Sequence, residues 1–234
     1  MIKEIDIGLF TDAPSRVEAT RYYLRYHAPE IVRLSGPWFR RYETYQAYDP
    51  PKEAVERFGA VGGRYTEIWF TDVEEWNTRP PLGAHTKQPW GSTKMSEAQT
   101  IAPALPSEEF LNLNPDHEET PIIRWFTAIK YPEGVSVEEG EKWFLEVHAQ
   151  EAKNQPGLLK FVSYRTIAES DSKWVRVNEY WYKDFAAWRK AVIESPPKYT
   201  APKWGGKYPF VVMVSTFIDV DPDYDLLKGG YTVP

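Results

Sequence analysis

An internal repeat constrains this chain more than any other feature of its 234 residues. The segment Arg21-Tyr22-Tyr23-Leu24-Arg25-Tyr26-His27-Ala28-Pro29-Glu30 aligns without a gap on Lys142-Trp143-Phe144-Leu145-Glu146-Val147-His148-Ala149-Gln150-Glu151, an offset of 121 residues. The same offset places Gly36 over Gly157. A second block, Glu67-Ile68-Trp69-Phe70-Thr71-Asp72-Val73-Glu74-Glu75-Trp76, matches Glu179-Tyr180-Trp181-Tyr182-Lys183-Asp184-Phe185-Ala186-Ala187-Trp188 at an offset of 112. Glu, Trp, Asp and the final Trp recur in register, and a shorter loop between the blocks accounts for the change of offset. The chain reads as a duplicated unit, with halves at residues 1–121 and 122–234.

Each half reads as strand, helix, strand, strand, helix. In the first, Ile2 to Phe10 is expected as a strand. Pro14 and Ser15 then open a helix whose stripe includes Tyr23, Leu24, His27, Ala28 and Ile31. Residues 37–48 read extended, Tyr65 to Phe70 is aromatic and branched as strands prefer, and Asp72 can cap a short helix through Trp76. In the second half Ile122 to Tyr131 is a strand, and Ser136 with Glu139 forms a capping box for a helix to Lys153. Leu158 to Ile167 and Trp174 to Tyr182 are strands, followed by a helix over 184–194. Tyr208 to Val220 closes the half, with Phe210 to Val214 expected as a fully buried strand from its unbroken apolar run. The second half thus shows the ferredoxin-like βαββαβ order. The first lacks an evident fourth strand; its place is taken by residues 77–121, rich in Pro, Ser, Thr and acids, which read as an irregular functional loop or lid.

Composition narrows the function classes. Aromatic residues make up 15% of the chain, which excludes disorder as a description of the whole. A net charge of −6 argues against a nucleic-acid partner. No apolar run approaches the roughly 20 residues needed to cross a bilayer, and the acidic start resembles no signal peptide, so a cytoplasmic location is the default expectation. Without cysteine there is no thiolate nucleophile and no sulfur-ligated metal site.

The two blocks resemble the EthD-like family of dimeric α/β-barrel proteins. The resemblance rests on Tyr22 through Pro29, with Glu67-Ile68-Trp69-Phe70-Thr71-Asp72, and on their second copies, where Gln150 stands in place of the proline. It implies an α+β fold of two ferredoxin-like units whose antiparallel sheets form an α/β-barrel around a cavity, with a homodimer unnecessary but allowed. It also implies a class of cofactor-free enzymes acting on aromatic or polyketide-like compounds, with haem-binding proteins and stress-response proteins as more distant relatives.

Strand alternation separates Tyr65, Glu67 and Trp69 from Thr66, Ile68 and Phe70, and Val177, Glu179 and Trp181 from Asn178, Tyr180 and Tyr182. The Glu/Trp face is expected to line the cavity, because a carboxylate is costly against apolar helices. Asp6, Glu4 and Phe10 on the first strand, and Trp125 and Thr127 on its counterpart, are expected to join it. His27 and His148 are candidate acids or bases, with Glu67, Glu179 and Asp6 as orienting groups. Tyr23, Tyr65, Trp69, Trp125 and Trp181 are candidate walls for a small hydrophobic, aromatic ligand. Recurrence in both halves favours the opposite reading, in which each His and Glu-x-Trp serves the fold. His85 and His117 lie in the irregular segment without metal-ligand spacing, and no nucleotide-binding glycine loop or Gly-x-Ser-x-Gly elbow occurs. The expectation is therefore no metal and no cofactor. Proton-transfer chemistry of a lyase, isomerase or decarboxylase kind comes first. Cofactor-free oxygenation, a non-catalytic binding protein and haem ligation through either histidine are the alternatives.

Overall fold

The computed structural model describes residues 1–8, 15–80, 99–101, 107–167 and 172–227. In chain order they form β1 (Ile2–Gly8), α1 (Arg16–Tyr22), α2 (Ala28–Ser35), β2 (Arg41–Gln46), α3 (Lys52–Phe58), β3 (Arg64–Phe70), α4 (Val73–Thr78), β4 (Gln99–Ile101) and β5 (Glu108–Asn112). There follow β6 (Ile123–Lys130), α5 (Val137–Trp143), α6 (Ala149–Ala152), β7 (Leu158–Arg165), β8 (Arg176–Tyr182), α7 (Phe185–Arg189), β9 (Val212–Asp219) and β10 (Tyr224–Asp225). The fold is α+β with two antiparallel sheets, as the repeat implies.

The first compact unit comprises residues 1–48, 62–105 and 221–234. Its sheet runs β4-β1-β3-β2-β10, which is the ferredoxin-like order with one extra edge strand. The fourth strand missing from the sequence reading is β4, only three residues long, with Ile5 opposite Ile101. β4 and β5 both fall inside the segment expected to be irregular, and a strand this short carries no periodicity to read. Ser15 caps α1 by accepting from the Glu18 N–H at 3.2 Å, and Asp72 caps α4 through the Glu75 N–H at 2.8 Å. Tyr22, Tyr23, Ala28 and Ile31 of the helical segment are buried, as are Tyr42 and Ile68 of the sheet, and the Tyr23 hydroxyl lies 3.1 Å from that of Tyr42.

The second unit comprises residues 49–61 and 106–220. Its sheet runs β5-β7-β8-β6-β9, the same order with the extra strand β5 at the far edge. Ser136 and Asp184 cap α5 and α7 as expected. α3 packs here: Phe58, wholly buried, meets Trp125 at a ring separation of 5.2 Å and Tyr208 at 6.0 Å. Gly59 then turns the chain with φ 58°, and a Cβ there would lie 2.8 Å from the Met213 carbonyl oxygen of β9. That position needs both the left-handed conformation and the bare backbone of glycine. The run Phe210 to Val214 is not fully buried: Val212 is 45% exposed, Met213 and Val214 are partly so, and the buried stretch is Ser215 to Ile218. β9 is an edge strand, so its apolar beginning is covered on fewer sides than a central strand would be.

Both helical segments contain a feature that the apolar stripe does not show. Tyr23–His27 and Phe144–His148 are π-helical turns, in which the Ala28 N–H reaches the Tyr23 carbonyl and the Ala149 N–H reaches that of Phe144. Such insertions are concentrated at functional sites. Each repeated histidine closes one of them. No helix among the described residues is long and apolar enough to cross a membrane.

Candidate functional site

The strand register decides which residues share a face. In the second unit Trp125 stands opposite Tyr180 and Thr127 opposite Asn178, while Arg124 and Phe126 stand opposite Trp181 and Glu179. Trp125, Thr127, Ile129, Asn178 and Tyr180 therefore form one face, and it is the face toward the helical segment. There they line a pocket that is open on one side, together with Phe144, His148, Tyr208 and Met213. The expected grouping of Trp125 and Thr127 with Glu179 and Trp181 is thus split across the sheet.

The same correction holds in the first unit. Asp6 is opposite Thr66 and Glu4 opposite Ile68, whereas Lys3 and Ile5 are opposite Trp69 and Glu67. Asp6 lies on the helix side, and Tyr65, Glu67 and Trp69 on the other. What the Glu-x-Trp strands carry instead is a paired charged face. The Lys3 ammonium meets Glu67 at 3.2 Å, and the Tyr65 hydroxyl donates to the same carboxylate at 2.8 Å. Arg124 meets Glu179 at 3.0 Å. Arg41 lies 5.0 Å from the centre of the Trp69 ring, and Lys160 lies 4.6 Å from that of Trp181. A buried carboxylate is held here by a cation from the neighbouring strand, which removes the cost assumed to drive it into a cavity. Neither glutamate can orient a histidine, because the sheet stands between them.

The two histidines differ. His27 sits partly exposed at the end of its π-turn, 5.2 Å from the Tyr23 ring. Burial lowers its pKa to about 4, opposed by the nearby Glu30. His148 is 8% exposed, faces the pocket, and lies between the Trp143 ring at 5.0 Å and the Tyr199 ring at 5.3 Å. Burial alone lowers its pKa to about 4, so it stays neutral at physiological pH. Its Nδ1 has no hydrogen-bond partner among the described residues. Nδ1 therefore closes no helix-to-sheet hydrogen bond among the described residues. The indole N–H of Trp125, itself 2% exposed, is likewise unpartnered.

Two further buried charged groups are Arg176, which the sequence reading did not single out, and Glu4, which it placed on the first strand beside Asp6. Arg176 is wholly buried above the Phe144 ring at 4.9 Å, with Glu141 receiving its Nε at 3.0 Å and its Nη2 at 2.8 Å. Glu108 and the Ser163 hydroxyl complete its shell, and Tyr131 donates to Glu141 at 2.8 Å. Burial works to lower the Arg176 pKa, but the hydrogen bonds to Glu141 and Glu108 outweigh it and raise the value. In the first unit Glu4 accepts from the indole of Trp76 and from Arg79, and burial with the neighbouring Asp6 holds its carboxyl up at about 7. The signal for Arg176 was available: Arg64 and Arg176 share the offset of 112, and Arg64 lies 5.1 Å from the Tyr23 ring as Arg176 lies from that of Phe144.

Among the described residues no group of three or more His, Asp or Glu is placed to hold a metal ion. His117 is described but joins no such group, while His85 and Phe10 lie outside the described residues.

No protein-family model matches the chain, and no curated protein sequence does. Solved structures do. That of an anthrone oxidase-like protein aligns with a TM-score of 0.56 over 97% of this chain and 94% of its own, at 9% identity. A monooxygenase-like protein from Lactobacillus acidophilus aligns at 0.39 and 12% identity, over 93% of this chain and 92% of its own. A chlorite dismutase variant from Candidatus Nitrospira defluvii aligns at 0.47 and 9% identity, over 93% of this chain and 91% of its own. At such identities a likeness extends to the fold alone, and the two scores below 0.5 add nothing to it. The chain shares its fold, two ferredoxin-like units each with an antiparallel sheet, with the anthrone oxidase-like structure.

Proposed function

We propose that this protein is an enzyme that removes a proton from a small aromatic or polyketide-like compound, with the pocket of the second unit as its site and His148 as the base. The observation that carries the reading is the neutral, buried imidazole with an unpartnered Nδ1 in an aromatic-walled pocket. With a pKa of about 4, the ring is unprotonated across the physiological range and can accept a proton. Trp125, Phe144, Tyr180 and Tyr208 supply flat surfaces for a planar ring. A weak base has little driving force against a carbon acid, so the pocket must also stabilise the anion left behind.

Deprotonation is the shared first step of isomerisation and of cofactor-free oxygenation, in which the carbanion gives an electron to O₂. The fold likeness to an anthrone oxidase-like protein favours adding that second outcome to the proposal. The duplicated origin and the EthD-like resemblance belong to the same reading: the first unit preserves the architecture, and the second holds the site. The site lies within one unit, so the reading does not depend on a homodimer.

The test is hydrogen exchange. With 2-tetralone in D₂O, wild-type protein should accelerate loss of the C1 proton signals above the buffer rate. His148→Gln should lose the acceleration while still binding the ketone. Equal exchange rates for wild type, His148→Gln and buffer would refute the assignment.

A further inference from the structure

The pocket contains a hydrogen-bond chain whose direction is fixed at one end. Arg176 can only donate, and its Nη1 donates to the Ser163 hydroxyl at 2.8 Å. With an acceptor site so used, Ser163 gives its single proton to its nearest acceptor, Asn178 Oδ1 at 2.7 Å, rather than to the Val177 carbonyl at 3.3 Å. The Asn178 amide is thereby oriented, and its Nδ2 donates to Thr127 Oγ1 at 3.1 Å. Thr127 accepts at the end of the chain, so its own hydroxyl proton remains to be given. Both Asn178 and Thr127 line the pocket, each 1% exposed, and no described residue receives that proton.

The first unit has the same chain with a different end. Arg64 donates to the Thr44 hydroxyl at 3.0 Å; Thr44 lies 3.4 Å from Thr66, and Thr66 lies 2.7 Å from the Tyr23 hydroxyl, which meets Tyr42 at 3.1 Å. Thr44 and Thr66 occupy the cross-strand positions of Ser163 and Asn178, and Tyr23 occupies that of Phe144. A tyrosine hydroxyl closes the chain there. Phe144 has no hydroxyl, so the chain of the second unit ends at the pocket.

We propose that Thr127 is the specificity-determining donor of this pocket, held in the donor role by Arg176, Ser163 and Asn178. It selects aromatic ligands bearing an acceptor oxygen, such as an aryl ketone, over the corresponding hydrocarbons. The proposal rests on the reading of this pocket as an aromatic-ligand site. In the proton-transfer reaction the same hydroxyl hydrogen-bonds the oxygen on which negative charge develops.

Calorimetric titration of the full chain with acetophenone and with ethylbenzene tests it. Wild type should prefer the ketone by about tenfold, the worth of one hydrogen bond in a buried site. In Thr127→Val the ratio should fall to near one through loss of ketone affinity, and in Thr127→Ser it should be retained. Ser163→Ala, which touches no ligand, frees the Asn178 amide to turn and should lower the ratio too, so the proposal remains testable if the valine variant does not fold. An unchanged ratio in Thr127→Val, or in Ser163→Ala where the valine variant cannot be made, overturns it. Equal binding of both compounds to a wild type that still shows His148-dependent exchange overturns the role of Thr127 alone. Binding of neither compound overturns the pocket reading and the role of Thr127 with it.

Discussion

Replacing His148 by phenylalanine should change how stability depends on pH more than how large it is at neutrality. Phenylalanine keeps a flat ring between Trp143 and Tyr199 and removes a buried, unpartnered Nδ1, so its effect at pH 7 should be small. In acid the situation differs. Burial lowers the His148 pKa from 6.5 to about 4 in the folded chain, while the unfolded chain keeps the higher value. Between those values the unfolded state binds a proton that the folded state does not, so stability falls as pH falls. At pH 4.5 the linkage amounts to roughly 2–3 kcal/mol, at about 1.4 kcal/mol for each unit between the two pKa values. Urea denaturation followed by tryptophan fluorescence at pH 7 and pH 4.5 measures it. Wild type should lose that amount more than His148→Phe over this interval, because the His27 contribution is common to both proteins. Identical losses would show that His148 is not buried in its neutral form, and the basis for its role as a base would go with it.

Two further outcomes concern packing. Arg176→Met leaves Glu141 buried without its cation and should cost about 3–5 kcal/mol, with Glu141→Gln in the same chain recovering much of it in a double-mutant cycle. Phe58→Ala should destabilise the chain by about 3–5 kcal/mol. Hydrogen exchange should then show lost protection in β9, which bonds the segment after Phe58 through the Ser215 N–H and the Gly59 carbonyl.

Much of the fold was legible because the repeat states it twice. Each copy of the strand and helix pattern corrects noise in the other, and the caps Ser15, Asp72, Ser136 and Asp184 mark boundaries with a local mechanism. β4 escaped because three residues hold no period. Two residues that line the pocket were legible in the sequence, and the face of the sheet they share was not. Trp125 and His148 were both named from the sequence, but the cavity was assigned to the Glu/Trp face on the assumption that a carboxylate shuns the helix side. That assumption omits Lys3 and Arg124, which lie on neighbouring strands and neutralise Glu67 and Glu179. Cross-strand partners are invisible until the register is known. The π-turns that end at His27 and His148 were hidden for a related reason: one extra residue in a helical turn leaves an amphipathic stripe looking almost unchanged.

The chain does not finish one unit before beginning the next. Residues 49–61 leave the first half to complete the second unit, and β10 returns from the far end to border β2, with Asp223 accepting from Arg64 at 3.0 Å. A cut between residues 121 and 122 would therefore yield no self-sufficient half. The upstream fragment would lack the carboxylate that neutralises Arg64, and the downstream fragment would lack the phenyl ring that wedges against Trp125. During synthesis the pocket-bearing unit receives its earliest piece, α3, before its sheet exists, and the first sheet receives β10 only after every strand of the second. Each unit draws on stretches of chain that lie on either side of part of the other, so neither can be completed from one half of the sequence alone.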